Sequence, residues 1–198
     1  MSIVPDFPPS HELDAHLQRA RQLKSIILSP VSTSDVELLS VDALAPLTGF
    51  LTRADYERVV GEMRLAGGGV WSIPITLPVT REQAGDIREG EQVALAEASG
   101  RILATMTVQE KFGYDKQREA REVYRTEDEK HPGVARVYQQ GDVYLGGPIT
   151  PLQFPPVLWA RTVLRRVNVP PTLPRPPPFP GAVLPERVLL VTISFPVL

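Results

Sequence analysis

A chain of 198 residues with a formal net charge of −2, 42% hydrophobic residues and no cysteine has the composition of a protein with one main buried core. The missing cysteines exclude a disulfide framework, a thiolate metal site, a cysteine nucleophile and thiol redox chemistry. Charge is unevenly spread, with 16 basic and 22 acidic side chains in residues 1–150 against 5 and 1 beyond them, and so acidic a body lacks the basic face of a phosphate-backbone binder. The N-terminus has neither the basic start nor the continuous apolar run of a secretory leader, and no segment reaches the ~20 apolar residues that span a bilayer. A cytoplasmic protein with no membrane partner is the expectation.

Ser10 is placed to cap a helix whose first turn carries Glu12, and Leu13, Leu17, Ala20 and Leu23 recur at near-helical spacing. Residues 25–29 read as a short strand that Pro30 ends, since proline cannot donate to a ladder. A helix is predicted over 35–44, stopping as Pro46 approaches because the residue before a proline is biased away from helical angles. Leu47-Thr48-Gly49-Phe50 predicts a tight turn that buries Leu47 and Phe50. Thr52 with Asp55 three residues on resembles a capping box, opening a helix that buries Tyr56, Val59 and Val60 beside Met63.

Gly67-Gly68-Gly69 reads as a hairpin turn rather than a phosphate loop, because a strand follows it and not a helix bearing Lys and Ser or Thr. That strand is predicted over 71–79, and Pro74 and Pro78, facing the same way, mark it as an edge strand or one broken by bulges. Residues 80–87 form a short helix or turn ending at Gly90. Strands at 91–96 and 102–112 then flank a hairpin at 97–100. Short strands at this spacing, with helices between them, favour a small closed barrel and an α+β fold class.

Residues 112–149 carry the densest local signals. Asp115 or a neighbour starts a charged helix in which Arg118 and Glu122 lie one turn apart, while Ala120, Val123 and Tyr124 supply the buried face. The acidic run Thr126-Glu127-Asp128-Glu129 lacks metal-ligand spacing and a second convergent cluster, and reads as a solvated loop or helix start. Pro132 suits the first turn of the next helix, with Val134, Val137 and Tyr138 on its inner side. His131 has no partner carboxylate or second histidine in view, so it reads as packing or capping that helix rather than as a catalytic base. Val143-Tyr144-Leu145 is a final strand closed by Gly146-Gly147-Pro148. From Pro151 onward the character changes to 12 prolines, no lysine, one glycine and five arginines. A short basic helix over 159–169, polyproline II over 170–180 and a β-prone end over 188–198 are expected there, the end being either a docked strand or an artefact.

Ala45-Pro46-Leu47-Thr48-Gly49-Phe50, Asp55-Tyr56, Tyr114-Asp115-Lys116, His131-Pro132-Gly133-Val134 and Gly146-Gly147-Pro148 stand in the order and spacing of one family's segments. Through them the chain resembles the N-terminal domain of ATP sulfurylase (sulfate adenylyltransferase) over well more than half its length, up to about Phe154. The resemblance implies a PUA-like small β-barrel decorated with helices over residues 1–154. A Pro-rich basic tail over 155–198, disordered or a frameshift product, then follows.

The family joins sulfate to the α-phosphate of ATP, giving adenylyl sulfate and pyrophosphate, by in-line positioning and cationic stabilisation. Those groups come from a separate α/β domain through a Q-T-R-N-P segment, an H-x-x-H pair and a G-R-D-H-A-G segment, and none of the three occurs here. His11 and His16 are five apart, not the family pair, and no Ser-His-Asp arrangement or P-loop is present. The family's glycine-rich start reads here as His11-Glu12-Leu13-Asp14, and its G-A-F-S-P-L as Asp42-Ala43-Leu44-Ala45-Pro46-Leu47. No catalytic, cofactor-binding or metal-ligating residue is therefore assigned, and no cofactor is expected. Pro46, Leu47, Thr48, Gly49, Phe50, Tyr114, Asp115, Lys116, His131, Pro132, Gly133, Gly146, Gly147 and Pro148 are carried over as a structural motif.

The expected function is that of a truncated scaffold domain of a sulfate adenylyltransferase, without catalysis of its own. One rival is a free-standing PUA-like module for RNA or a protein, with the acidic body standing against nucleic acid. Another is a structural partner that pairs with itself or with a sulfurylase catalytic domain.

Overall fold

The computed structural model describes residue 8 and residues 10–153, and the readings made for the tail lie outside the described residues. Its organising element is β7 (Val143–Pro151), a nine-residue strand paired along both edges. One edge meets β6 (Glu110–Gly113) and then β5 (Ile102–Thr107), and the other meets β3 (Leu77–Val79) and then β2 (Gly49–Phe50), all antiparallel. β4 (Gln92–Ala96) continues the sheet from β5, and β1 (Ser25–Ile27) runs parallel to β4. The path β1-β4-β5-β7-β2 curls into a half-barrel, the PUA-like α+β arrangement that the resemblance implies. Among the described residues no ladder joins β1 to β2 to complete the ring.

Gly146-Gly147-Pro148 does not close the last strand as a turn; it lies inside it. A Cβ on Gly146 would stand 2.5 Å from the Leu51 carbonyl oxygen, and one on Gly147 would stand 2.1 Å from that of Thr107. Gly147 also holds φ at +148°, which side chains rarely allow. Here the glycines serve close backbone approach, and the same approach divides the strand expected over 102–112. It breaks at Val108 and Gln109, where the Gln109 amide donates to Gly146 O at 2.9 Å. Gly49 is as constrained: its Cβ would meet Gly147 O at 2.1 Å. Residues 49 and 50 are accordingly ladder and not turn, and Phe50 is buried while Leu47 is half-buried.

Among the described residues six helices accompany this sheet. α1 (Ser10–Ala20) buries Ala20 and packs on β5. α2 runs Pro30–Ser40, not 35–44, because Ser29 and Pro30 together are a start signal: Ser29 Oγ accepts from the Ser32 amide at 3.1 Å and Pro30 takes the first helical position. α3 (Arg53–Glu62) buries Tyr56, Val59 and Val60 as expected. Its expected capping box does not form; Thr52 holds the cap position without a side-chain bond, and Asp55 instead accepts from the Ala66 amide at 2.6 Å. That bond anchors the glycine turn, which an isolated Arg64–Val70 bridge closes as the hairpin reading expects.

The strand expected over 71–79 survives only as β3, an edge strand containing Pro78. α4 (Arg81–Asp86) carries the capping box that does not form at Thr52, made here by Thr80 and Gln83. α5 (Lys116–Tyr124) and α6 (Pro132–Gln139) fill the interval before β7. Between them the acidic run is an exposed loop. The core has two clusters, one including Leu28, Val36, Leu95, Met106 and Leu145, the other Tyr56, Val59, Phe112 and Tyr144. No helix among the described residues is long and apolar enough to cross a membrane.

Gly49→Ala places a methyl in the backbone of β7 and is expected to lower stability by about 3 kcal/mol or more. Gly67→Ala, where nothing lies within 4 Å of the added carbon, should change it by under about 1 kcal/mol in urea unfolding.

Candidate functional site

The polar residues that local signals single out converge on the α5–α6 pair. Asp115 Oδ1 caps α5, accepting from the amides of Gln117 and Arg118 at 3.0 Å each. Its neighbour Lys116 reaches the far end of α6, donating to the carbonyls of Gln140 at 2.6 Å and Tyr138 at 3.2 Å and pairing with Asp142 at 2.9 Å. A cation on the last carbonyls of a helix satisfies orphan acceptors and complements the helix dipole. His131 caps the start of α6, its Nδ1 accepting from the Gly133 amide at 3.2 Å, and its ring lies 5.1 Å from that of Tyr124. Gly133 leaves the space that Tyr124 fills, since a Cβ there would come within 2.4 Å of the ring. His131 thus caps the helix entry, and Pro132 occupies the first helical position.

Beneath these helices lies a buried carboxyl that sequence reading did not single out. Glu119, on the inner face of α5, is 3% exposed. Its Oε2 accepts from Tyr56 Oη at 2.9 Å and from Tyr144 Oη at 2.8 Å. Tyr144 in turn accepts from Gln140 Nε2 at 2.6 Å, which also donates to Tyr114 Oη at 3.0 Å, and Tyr114 passes its proton to Gly141 O at 2.8 Å. The rings of Tyr114 and Tyr144 stack at 3.7 Å. Each of the three tyrosine hydroxyls in this network donates to one acceptor. Burial pushes the Glu119 carboxyl above its ordinary range, against the two tyrosine bonds that favour the anion. Tyr114 is pushed up to about 12, chiefly by burial.

Beside this network a cleft of about 500 Å³ opens between α2 and α6. Glu119 lines it, with Asp35 from α2 and Arg136 from α6. Asp35 is raised to about 6, by burial first, with the Arg136 charge pulling the other way. Arg136 itself donates to Tyr124 Oη at 3.0 Å. A second concavity around Lys24 is internally satisfied, because Lys24 Nζ bonds Glu91 and the Asp86 carbonyl.

The motif residues fall into two groups. Gly49 and Phe50 pair with Pro148 and Gly147 in the β2–β7 ladder, the Ile149 amide donates to Thr48 O at 3.0 Å, Gly146 lies against the Leu51 carbonyl, and Leu47 follows Pro46, whose peptide with Ala45 is cis. Tyr114, Asp115, Lys116, His131, Pro132 and Gly133 form the α5–α6 clasp. Arg118, expected to face Glu122, pairs instead with Glu57 of α3. Glu119 was missed because Arg-Glu-Ala-Arg-Glu reads as solvated helix. Its one sequence signal is its place next to Ala120 on the inner face.

Glu119→Ala leaves two buried hydroxyls without an acceptor and is expected to cost about 2–4 kcal/mol, whereas Glu119→Gln keeps an acceptor and should cost about 1 kcal/mol or less. Lys116→Met uncovers the end of α6 and should cost about 1–2 kcal/mol. A carboxyl whose folded pKa exceeds its unfolded value binds its proton more tightly when folded, so its contribution declines as pH rises from the unfolded value through the folded one. For Asp35 that window runs from 3.8 to about 6. The stability difference between Asp35→Asn and the parent, measured in urea at successive pH values, should therefore shift in favour of the variant across that window and then level off.

A family model described as a PUA-like domain matches residues 2–154. The sulfate adenylyltransferase of Synechococcus sp. (strain JA-3-3Ab) is 49% identical over 146 residues, which cover 70% of this chain and 37% of that protein. That of Symbiobacterium thermophilum is 49% identical over 144 residues, 73% of this chain and 37% of the relative. That of Deinococcus radiodurans is 49% identical over 128 residues, 65% and 32% respectively. The chain thus spans about a third of the length of the curated relatives it matches. Among solved structures, a hexameric APS kinase from Thiobacillus denitrificans matches with a TM-score of 0.57 and 28% identity, covering 78% of this chain and 26% of that one. With the family match extending over the whole curled sheet and both helices of the clasp, the chain belongs to the PUA-like domain family.

Proposed function

We propose that this chain is the N-terminal scaffold domain of a sulfate adenylyltransferase, serving sulfate assimilation, and that it does not catalyse on its own. Its role is to support a catalytic portion that joins ATP and sulfate into adenylyl sulfate and pyrophosphate. The observation that carries this reading is where the shared motif residues spend their chemistry. Asp115 and His131 cap helices, Lys116 closes one, and the glycines admit backbone. Each of these groups is engaged in holding the domain together, and the sequence holds no Q-T-R-N-P, H-x-x-H or G-R-D-H-A-G segment to supply cationic donors.

On this reading the fourteen motif positions from Pro46 to Pro148 maintain the domain. The domain ends near residue 154, and residues 155–198 are a separate basic tail. The protein acts in the cytoplasm, paired with itself or with a sulfurylase catalytic portion. The hexameric state named for the Thiobacillus denitrificans relative supports an associating role.

Purified chain supplied with adenylyl sulfate and pyrophosphate is expected to form no ATP above a protein-free control. Turnover that survives repurification and tracks with the chain overturns the scaffold reading.

A further inference from the structure

Resting on that scaffold reading, we propose that the cleft between α2 and α6 receives the catalytic portion of a sulfate adenylyltransferase, which sets a basic side chain between apolar walls and reaches toward Asp35 and Glu119.

The first ground is an unfilled acceptor. Glu119 is 3% exposed and lines the cleft, its Oε2 is taken by two tyrosine hydroxyls, and no hydrogen bond among the described residues reaches its Oε1. Asp35 stands in the same cleft with its charge disfavoured by burial. One guanidinium, Arg136, serves both carboxyls only at a distance, because its hydrogen bond goes to Tyr124. The cleft therefore holds two carboxyls to one guanidinium, an excess of acceptors that suits an incoming lysine or arginine.

The second ground is the surface around it. Ile27 is 55% exposed and Val31 39%, and both line the cleft. Leu38, 40% exposed, follows Val31 and Asp35 along one stripe of α2, while Val36 and Leu39, on the adjacent stripe, are in the core. α2 is therefore apolar on two sides, with only one of them covered. Three of the five large apolar side chains exposed among the described residues gather here.

The occupant follows from proportion. The matched part is 37% of each of two relatives at 49% identity, so most of their polypeptide lies outside it, and domains joined in one chain bury roughly 600–1,500 Å² against each other. An apolar face surrounding under-partnered carboxyls has the make-up of such a contact.

The test mixes the full 198-residue chain with the part of the Synechococcus sulfate adenylyltransferase outside the matching third, with binding followed by calorimetry. The parent chain is expected to bind. Val31→Asp and Glu119→Gln should each weaken binding at least tenfold, while Val70→Asp, on an exposed residue outside the cleft, leaves it unchanged. Circular dichroism on each variant separates lost binding from lost folding. Binding by the parent with equal binding by folded Val31→Asp and Glu119→Gln overturns the cleft assignment and leaves the scaffold reading standing. Failure of the parent itself to bind overturns both.

Discussion

Contact between main chains, not between side chains, is the constraint on which this domain depends. At Gly49, Gly146 and Gly147 three stretches of backbone meet at distances that leave no room for a Cβ. β7 can be paired on both edges around these positions only because they are bare. The curl of the sheet, the break between β5 and β6 and the placing of Phe50 in the core all follow from that approach.

A second, polar centre depends on the first. β7 presents Tyr144 at the position paired with Pro78 on one side and Phe112 on the other. α5 then brings Glu119 down on Tyr144, and α3 brings Tyr56 to the same oxygen. A buried carboxyl is unfavourable unless its neighbours donate to it, so this one fixes the orientation of two helices relative to a strand. Ion pairs at the surface, such as Arg118 with Glu57, follow the same alignment and add little alone.

Much of this was legible locally. The apolar face of α3, the proline at the start of α6, the cap at Asp115 and the hairpin glycines are short-range signals, and the structure uses each where the sequence places it. What the sequence hides is long-range. Glu119 looks solvated until Tyr56 and Tyr144, 63 and 25 positions away, are brought beside it. Gly146-Gly147-Pro148 announces unusual backbone in either a turn or a crowded strand, and only the partner strands decide which. Ser29-Pro30 carried a helix start that was masked by the strand just before it.

Prolines at 74 and 78 also have a bearing on how copies of this molecule meet. Among the described residues β3 is bonded to β7 alone, so its outward margin is the kind of place where a neighbouring chain adds itself amide by amide. Pro78 within β3, and Pro74 just before it, withhold donors such templating needs. Fibril-like growth along that margin is thereby disfavoured, and any encounter on this flank is left to be decided by side-chain fit, where selectivity resides.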